Sequence, residues 1–154
     1  MNFPYRMYIV SSSDTGELVP MLRPEINVRI YGPAGDADAL ALVDTGSDKS
    51  IFPMSFASDV GITTTPGTGL GALTFGGHGM PLEYADVELE IPEFDPPLRW
   101  RTRLYFADIS EETEQAILGH NGFLDYFTAT FDGEECSLEL VPNSDLPLVE
   151  LTPQ

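Results

Sequence analysis

Asp-Thr-Gly occurs twice in the chain, at Asp14-Thr15-Gly16 and at Asp44-Thr45-Gly46. A carboxylate that takes and returns protons as a general acid/base needs a rigid, partly desolvated seat. Only the second copy has flanks that supply one. Ala39-Leu40-Ala41-Leu42-Val43 runs apolar straight into Asp44, and Ile51-Phe52-Pro53 takes the chain back toward a core. Gly46 permits a sharp turn and offers its N–H to the carboxylate. The first copy follows Ser11-Ser12-Ser13 and precedes Glu17, the composition of an exposed hairpin turn, where Asp and Gly serve local needs. Asp44 is therefore the candidate proton-transfer residue, and Asp14 a turn residue.

Other chemistries find no support. One Cys and two His exclude an internal disulfide framework and a zinc site built from Cys and His alone. Gly67-Thr68-Gly69-Leu70-Gly71-Ala72 fits a loose dinucleotide pattern but lacks a strand before it and a helix after it. The single Lys, Lys49, does not follow Gly, so there is no phosphate loop, and no G-x-S-x-G nucleophile elbow is present. No metal or cofactor is expected. Lys plus Arg is 7 against 25 Asp plus Glu, a net charge of −18. That balance argues against nucleic acid or an anionic membrane surface as partner. No apolar run approaches the ~20 residues of a membrane span. The N-terminus MNFPYRMYIVSSSD lacks a basic start and a long apolar stretch, so no signal peptide is expected and the expected compartment is the cytoplasm.

The elements that must position Asp44 read as strands. A chain of 154 residues suits one domain. Its 14 Gly and 13 Pro punctuate short apolar runs, the signature of an all-β domain. Tyr5 to Val10 is a first strand candidate. Ile26 to Tyr31 alternates apolar and polar residues, and Ala39 to Val43 reads as a strand buried on both faces. Tyr84 to Ile91 and Leu98 to Tyr105 form the clearest hairpin. Arg99, Arg101 and Arg103 line one face of its second strand, and Glu88 and Glu90 are the expected cross-strand partners, so the stripe reads as ion pairs rather than as an anion site. A helix is expected after Ile117-Leu118-Gly119, capped by Asn121 and carrying Phe123, Tyr126 and Phe127 at helical spacing. A turn at Phe131 to Glu134 and a strand from Cys136 to Val141 follow.

Two segments together carry a family resemblance. Ala41 to Ile51, with Asp44-Thr45-Gly46 at its centre, resembles the active-site segment of retropepsin-like aspartic proteases. Ile117-Leu118-Gly119-His120-Asn121-Gly122-Phe123-Leu124 resembles that family's second signature, at the start of its C-terminal helix. The order and separation agree, over roughly residues 20–142. Arg23-Pro24 upstream and the Gly-Phe-Leu after the second signature are most similar to the single-domain bacterial members.

The resemblance implies an all-β, closed barrel-like acid-protease domain with one short C-terminal helix, and two such domains per active site. Aspartic proteolysis uses two carboxylates that share one proton, because neither ionises readily beside the other. One credible Asp per chain then implies a homodimer with Asp44 from each subunit meeting on the twofold axis, acting on a peptide or protein substrate. By resemblance, Thr45 reaches across the dyad and Gly46 keeps the carboxylates coplanar. Ser47 is a candidate hydrogen-bond donor to Asp44, and Asp48 a group that binds substrate backbone or braces the dimer. Ser47 and Ser50 also suit plain turn chemistry. Where the best-known viral members carry Arg paired with the Asp that matches Asp48, this chain has His120. The expectation is a His120–Asp48 hydrogen bond that weakens as the imidazole deprotonates, against a His that merely faces solvent.

The flap expected over the substrate is placed with its tip at Gly76-Gly77 and His78 beside it, with Gly69 to Gly71 as the other candidate. The expected organisation is an N-terminal strand or arm over 1–19, the protease-like domain over 20–142, and a C-terminal tail or dimer strand over 143–154. A second function class stays open beside the endopeptidase: a catalytically silent dimeric module that binds peptide or assists assembly on the same fold.

Overall fold

Ile26, Val28 and Ile30 are buried while Asn27, Arg29 and Tyr31 are half-exposed, the period of two that a one-sided strand requires. Repeated along the chain, that pattern builds the whole molecule. The computed structural model describes residues 1–68, 72–73, 79–108 and 115–150. In chain order the strands are β1 (Asn2–Pro4), β2 (Arg6–Ser11), β3 (Leu18–Arg23), β4 (Glu25–Gly32), β5 (Gly35–Val43) and β6 (Ile51–Pro53). Then come β7 (Thr65–Pro66), β8 (Ala72–Leu73), β9 (Gly79–Met80), β10 (Glu83–Ile91), β11 (Leu98–Ala107), β12 (Ala116–Leu118), β13 (Phe127–Asp132) and β14 (Ser137–Pro142). Among the described residues there is one α-helix, α1 (Met54–Asp59).

β11, β6, β12, β5, β4 and β10 are neighbours in that order, and β10 pairs again with β11. The six strands thus close into a barrel, which leaves no open sheet edge among them. The domain is nearly all-β, as expected. Trp100, Phe52, Phe106, Phe123, Leu104 and Leu118 are fully buried in its core. Each such side chain contributes about 1.5–3 kcal/mol through removal from water. β1, β14 and β13 form a second sheet whose Phe3, Leu138 and Leu140 join the same core. β2 and β3 form a separate two-stranded hairpin. The expected boundary after residue 19 falls inside β3.

The β10–β11 hairpin has its expected register, with Asp86, Glu88 and Glu90 opposite Arg103, Arg101 and Arg99. The ion pairs shift from the expected set. Glu88 binds both Arg99 and Arg101, and Asp86 takes Arg103 at 2.9 Å. Glu90 is buried, and the Arg99 guanidinium opposite it binds Glu88 instead. Burial pushes the Glu88 carboxyl up, but hydrogen bonds from Arg99 and Arg101 together outweigh it and hold the group below its ordinary value.

Several local expectations are corrected. Among the described residues no α-helix follows Gly119. Gly122 has φ +91° and breaks the segment, Leu124–Tyr126 makes one 3-10 turn, and Phe127 already begins β13. Phe123 and Phe127 look helical in spacing because they stack, with ring centroids 4.8 Å apart, across a turn and a strand start. The short helix lies instead at α1, which Pro53 precedes. Its Phe56 meets Phe52 edge-on at 5.6 Å. β5 is buried on one face only: Ala39, Ala41 and Val43 are inside, whereas Leu40 and Leu42 are half-exposed.

Residues 143–150 pack against the chain's own barrel. Arg101 donates its backbone N–H to Pro147, Val149 donates to Arg99, and Leu146 is buried. β8 pairs antiparallel with β9. The expected flap tip at Gly76-Gly77, His78 beside it, and the other candidate at Gly69 to Gly71 lie outside the described residues.

Candidate active site

Asp44 follows β5 directly, and the loop it opens ends at Ser50, where β6 begins. β12 lies between those two strands, parallel to β5 and antiparallel to β6. The loop therefore bridges over the end of β12. The last residue of β12 and the residues after it stitch the loop down. The Asp44 N–H donates to the Leu118 carbonyl (3.0 Å), that of His120 to Ser47 (2.9 Å) and that of Asn121 to Asp48 (2.9 Å). Each buried backbone group gains a partner this way, as it must.

Gly119 makes the fit possible. A Cβ there would lie 2.3 Å from the Lys49 carbonyl oxygen and 2.5 Å from that of Ser47, so no other residue fits without moving backbone. The Ser50 hydroxyl, fully buried, donates to the Asn121 carbonyl (2.9 Å) and accepts from the Gly119 N–H (3.1 Å). It ties the two signature segments to each other, a supporting role consistent with its expected place beside the site. Gly119 was read only as part of a signature. The close approach that excludes a side chain is a tertiary fact with no trace in local composition.

The carboxylate itself is held as expected. The Gly46 N–H donates to Asp44 Oδ1 at 2.9 Å. Asp44 is half-buried, and Thr45, Gly46 and Asp48 are exposed at the barrel end. Two other expectations fail. The Ser47 hydroxyl donates to the Lys49 carbonyl (2.7 Å), which is turn chemistry, and not to Asp44. The His120 ring places Nε2 at 2.9 Å from the Thr45 carbonyl oxygen, and not against the Asp48 carboxylate. A carbonyl only accepts, so Nε2 carries the proton in this contact. The contact differs from the expected acid–base brace in having a neutral carbonyl, not a carboxylate, as its acceptor.

Asp14 sits at the exposed tip of the β2–β3 hairpin, as expected. Among the described residues no three His, Cys, Asp or Glu side chains converge as a metal site. None of the described helices is long and apolar enough to cross a membrane. A hollow of about 500 Å³ lies on the ion-paired side of the β10–β11 hairpin, lined by Tyr31, Ile62, Glu88 and Arg99. It does not include Asp44.

No protein-family model matches the chain, and no curated protein matches it. Among solved structures, the chain is similar to the EIAV protease complexed with the inhibitor HBY-793. The identity is 26%, over 64% of this chain and 82% of that one, with a TM-score of 0.48.

Proposed function

We propose that this chain is a homodimeric aspartic endopeptidase. The observation that carries the reading is the seat of Asp44: a carboxylate fixed by the Gly46 N–H at the open end of a closed barrel, on a loop locked by Gly119 and Ser50. Rigid placement of a carboxylate at a solvent-facing rim is what proton transfer to and from a bound water requires. One chain supplies one such group, so a second copy supplies the other.

In this reading the two Asp44 carboxylates share a proton, since like charges in contact do not both ionise. The ionised member takes a proton from water, whose oxygen attacks the peptide carbonyl carbon. The protonated member donates to the carbonyl oxygen. Proton return to the amide nitrogen then breaks the C–N bond and releases carboxylic acid and amine. His120 holds the Thr45 carbonyl and so fixes the loop rather than taking part. The substrate is an extended peptide lying between the two subunits, with Asp48 near its backbone.

The test is cleavage of a diverse peptide library by wild type and Asp44→Asn between pH 3.5 and 7.5, at low and high salt. Cleavage by the wild type alone is the expected result. Equal cleavage by both refutes the role of Asp44. No cleavage by a folded dimer turns the reading to a catalytically silent peptide-binding module.

A further inference from the structure

The β2–β3 hairpin has two unlike faces. On one, Tyr8 donates its hydroxyl to Glu25 and Arg6 donates to Asn27, which ties that face to the start of β4. The register pairs Met7 with Leu22, Ile9 with Pro20 and Ser11 with Leu18 on the other. There Met7, Ile9, Leu18 and Leu22 are 65%, 60%, 75% and 43% exposed. A two-stranded sheet with no covering layer is marginal in water, and a contiguous apolar face of this kind marks an interaction surface.

We propose that this outer face is where a second copy of the chain is held, hairpin against hairpin. The proposal rests on the dimeric reading above and names the surface that would make the dimer. Three observations favour a second copy as occupant. The hairpin is rooted at the Asp44 end of the barrel: the Val43 N–H donates to the Pro24 carbonyl at 2.9 Å, one residue before Asp44 and one after β3. The arm that carries the face thus leaves the barrel at the end that holds Asp44.

The second observation is charge. Over residues 6–23, Arg6 and Arg23 balance Asp14 and Glu17, while the whole chain carries −18. Two copies repel least where they meet through a neutral arm. The third is self-complementarity. Among the described residues, ten large apolar side chains are exposed, and four of them, Met7, Ile9, Leu18 and Leu22, share this outer face, with Tyr8 and Met21 on the hairpin's other face. The others are spread over the start of β1, β13, β14 and the C-terminal segment. The best apolar match for the hairpin face is thus the same face on another copy, which a twofold axis supplies. Two such sheets stack as a small sandwich.

The deciding experiment is sedimentation equilibrium of wild type and of Ile9→Lys/Leu18→Lys in 0.5 M salt. Lysine lowers the net negative charge, so general repulsion falls and any weakening is local. The expected result is a wild-type dimer whose dissociation constant rises at least 100-fold in the double variant. Mixing that variant with Ile9→Glu/Leu18→Glu is expected to restore a heterodimer at least tenfold tighter than either homodimer. An unchanged constant in the lysine variant, or a wild type that stays monomeric at every concentration, overturns the proposal.

Should the variants lose their native circular dichroism, hydrogen exchange of the wild type above and below its dissociation constant decides. Protection of 6–11 and 18–23 that grows with dimer supports the proposal, and its absence overturns it. The two readings separate cleanly. A hairpin-dependent dimer that cleaves nothing keeps the surface and discards the protease. Cleavage by a dimer indifferent to the lysines does the reverse.

Discussion

At Asp14-Thr15-Gly16 the chain reverses between β2 and β3, and Gly16 adopts φ +72°. The Asp14 N–H donates to the Ser12 hydroxyl and the Glu17 N–H to the Thr15 hydroxyl, all within a few residues. At Asp44-Thr45-Gly46 the Gly46 φ is not left-handed, and its N–H serves the Asp44 carboxylate. Thr45 is held by His120, 75 residues away. Three identical residues thus do turn geometry in one place and carboxylate positioning in the other. What separates them is the scaffold: a two-stranded arm in water against a strand end in a closed barrel. A short motif acquires chemistry only from the long-range contacts that fix it.

The sharpest way to break the comparison is to neutralise each aspartate. Asp44→Asn keeps an oxygen for the Gly46 N–H but cannot cycle protons, and cleavage should fall by about 10³-fold or more, since general acid/base groups contribute about 10²–10⁴-fold each. Asp14→Asn should leave the rate of peptide hydrolysis unchanged. If Asp14→Asn abolishes cleavage instead, the two settings have been read the wrong way round.

Next in size is the glycine contrast. Gly119→Ala drives a methyl into the backbone of Ser47 and Lys49. It should cost about 3 kcal/mol in urea unfolding, at the upper end for overpacking. Gly16→Ala meets nothing within 4 Å and bears only the left-handed penalty, about 1–2 kcal/mol.

A smaller effect is expected at His120. His120→Ala removes one side-chain hydrogen bond to the loop and should cost about 1 kcal/mol in urea unfolding. A cost that vanishes in an Asp48→Asn background would place the ring against Asp48 instead.

The smallest effect belongs to the β10–β11 ion pairs. The folded Glu88 carboxyl lies below its ordinary value of 4.5, so its contribution is full above that value and fades as pH falls through the folded one. Glu88→Gln should flatten the loss of stability below about pH 4.5 in denaturant titrations, by less than about 1 kcal/mol for pairs still reached by solvent.

Period-two patterning made β4, β10 and β11 legible, because one face of each is buried and the other wet, whereas β5 was legible only as an apolar run. The Asp44 segment was legible for a related reason: a strand-like apolar run ends on a polar loop. What sequence left hidden depends on contacts between distant segments. The stack of Phe123 on Phe127 imitates helical spacing. The Ser47 hydroxyl and the His120 ring each had a nearby carbonyl to satisfy, and both chose it over a carboxylate. β13 hides because Thr128 and Thr130 alternate with Phe127, Ala129 and Phe131, a signal overlapped by the apparent helix. The rim loop resembles a single motif in sequence yet is built from two segments, and Gly119 carries their closest approach.

The insertion of β12 between β5 and β6 also sets an order of events in time. The Asp44 loop takes its shape from backbone partners at Leu118, His120 and Asn121, so a growing chain has no seat for its carboxylate until those residues have left the ribosome. Pairings so far apart in sequence close late and slowly. A partly made chain therefore carries the motif without the means to use it, and assembly of the site is a built-in delay between synthesis and chemistry.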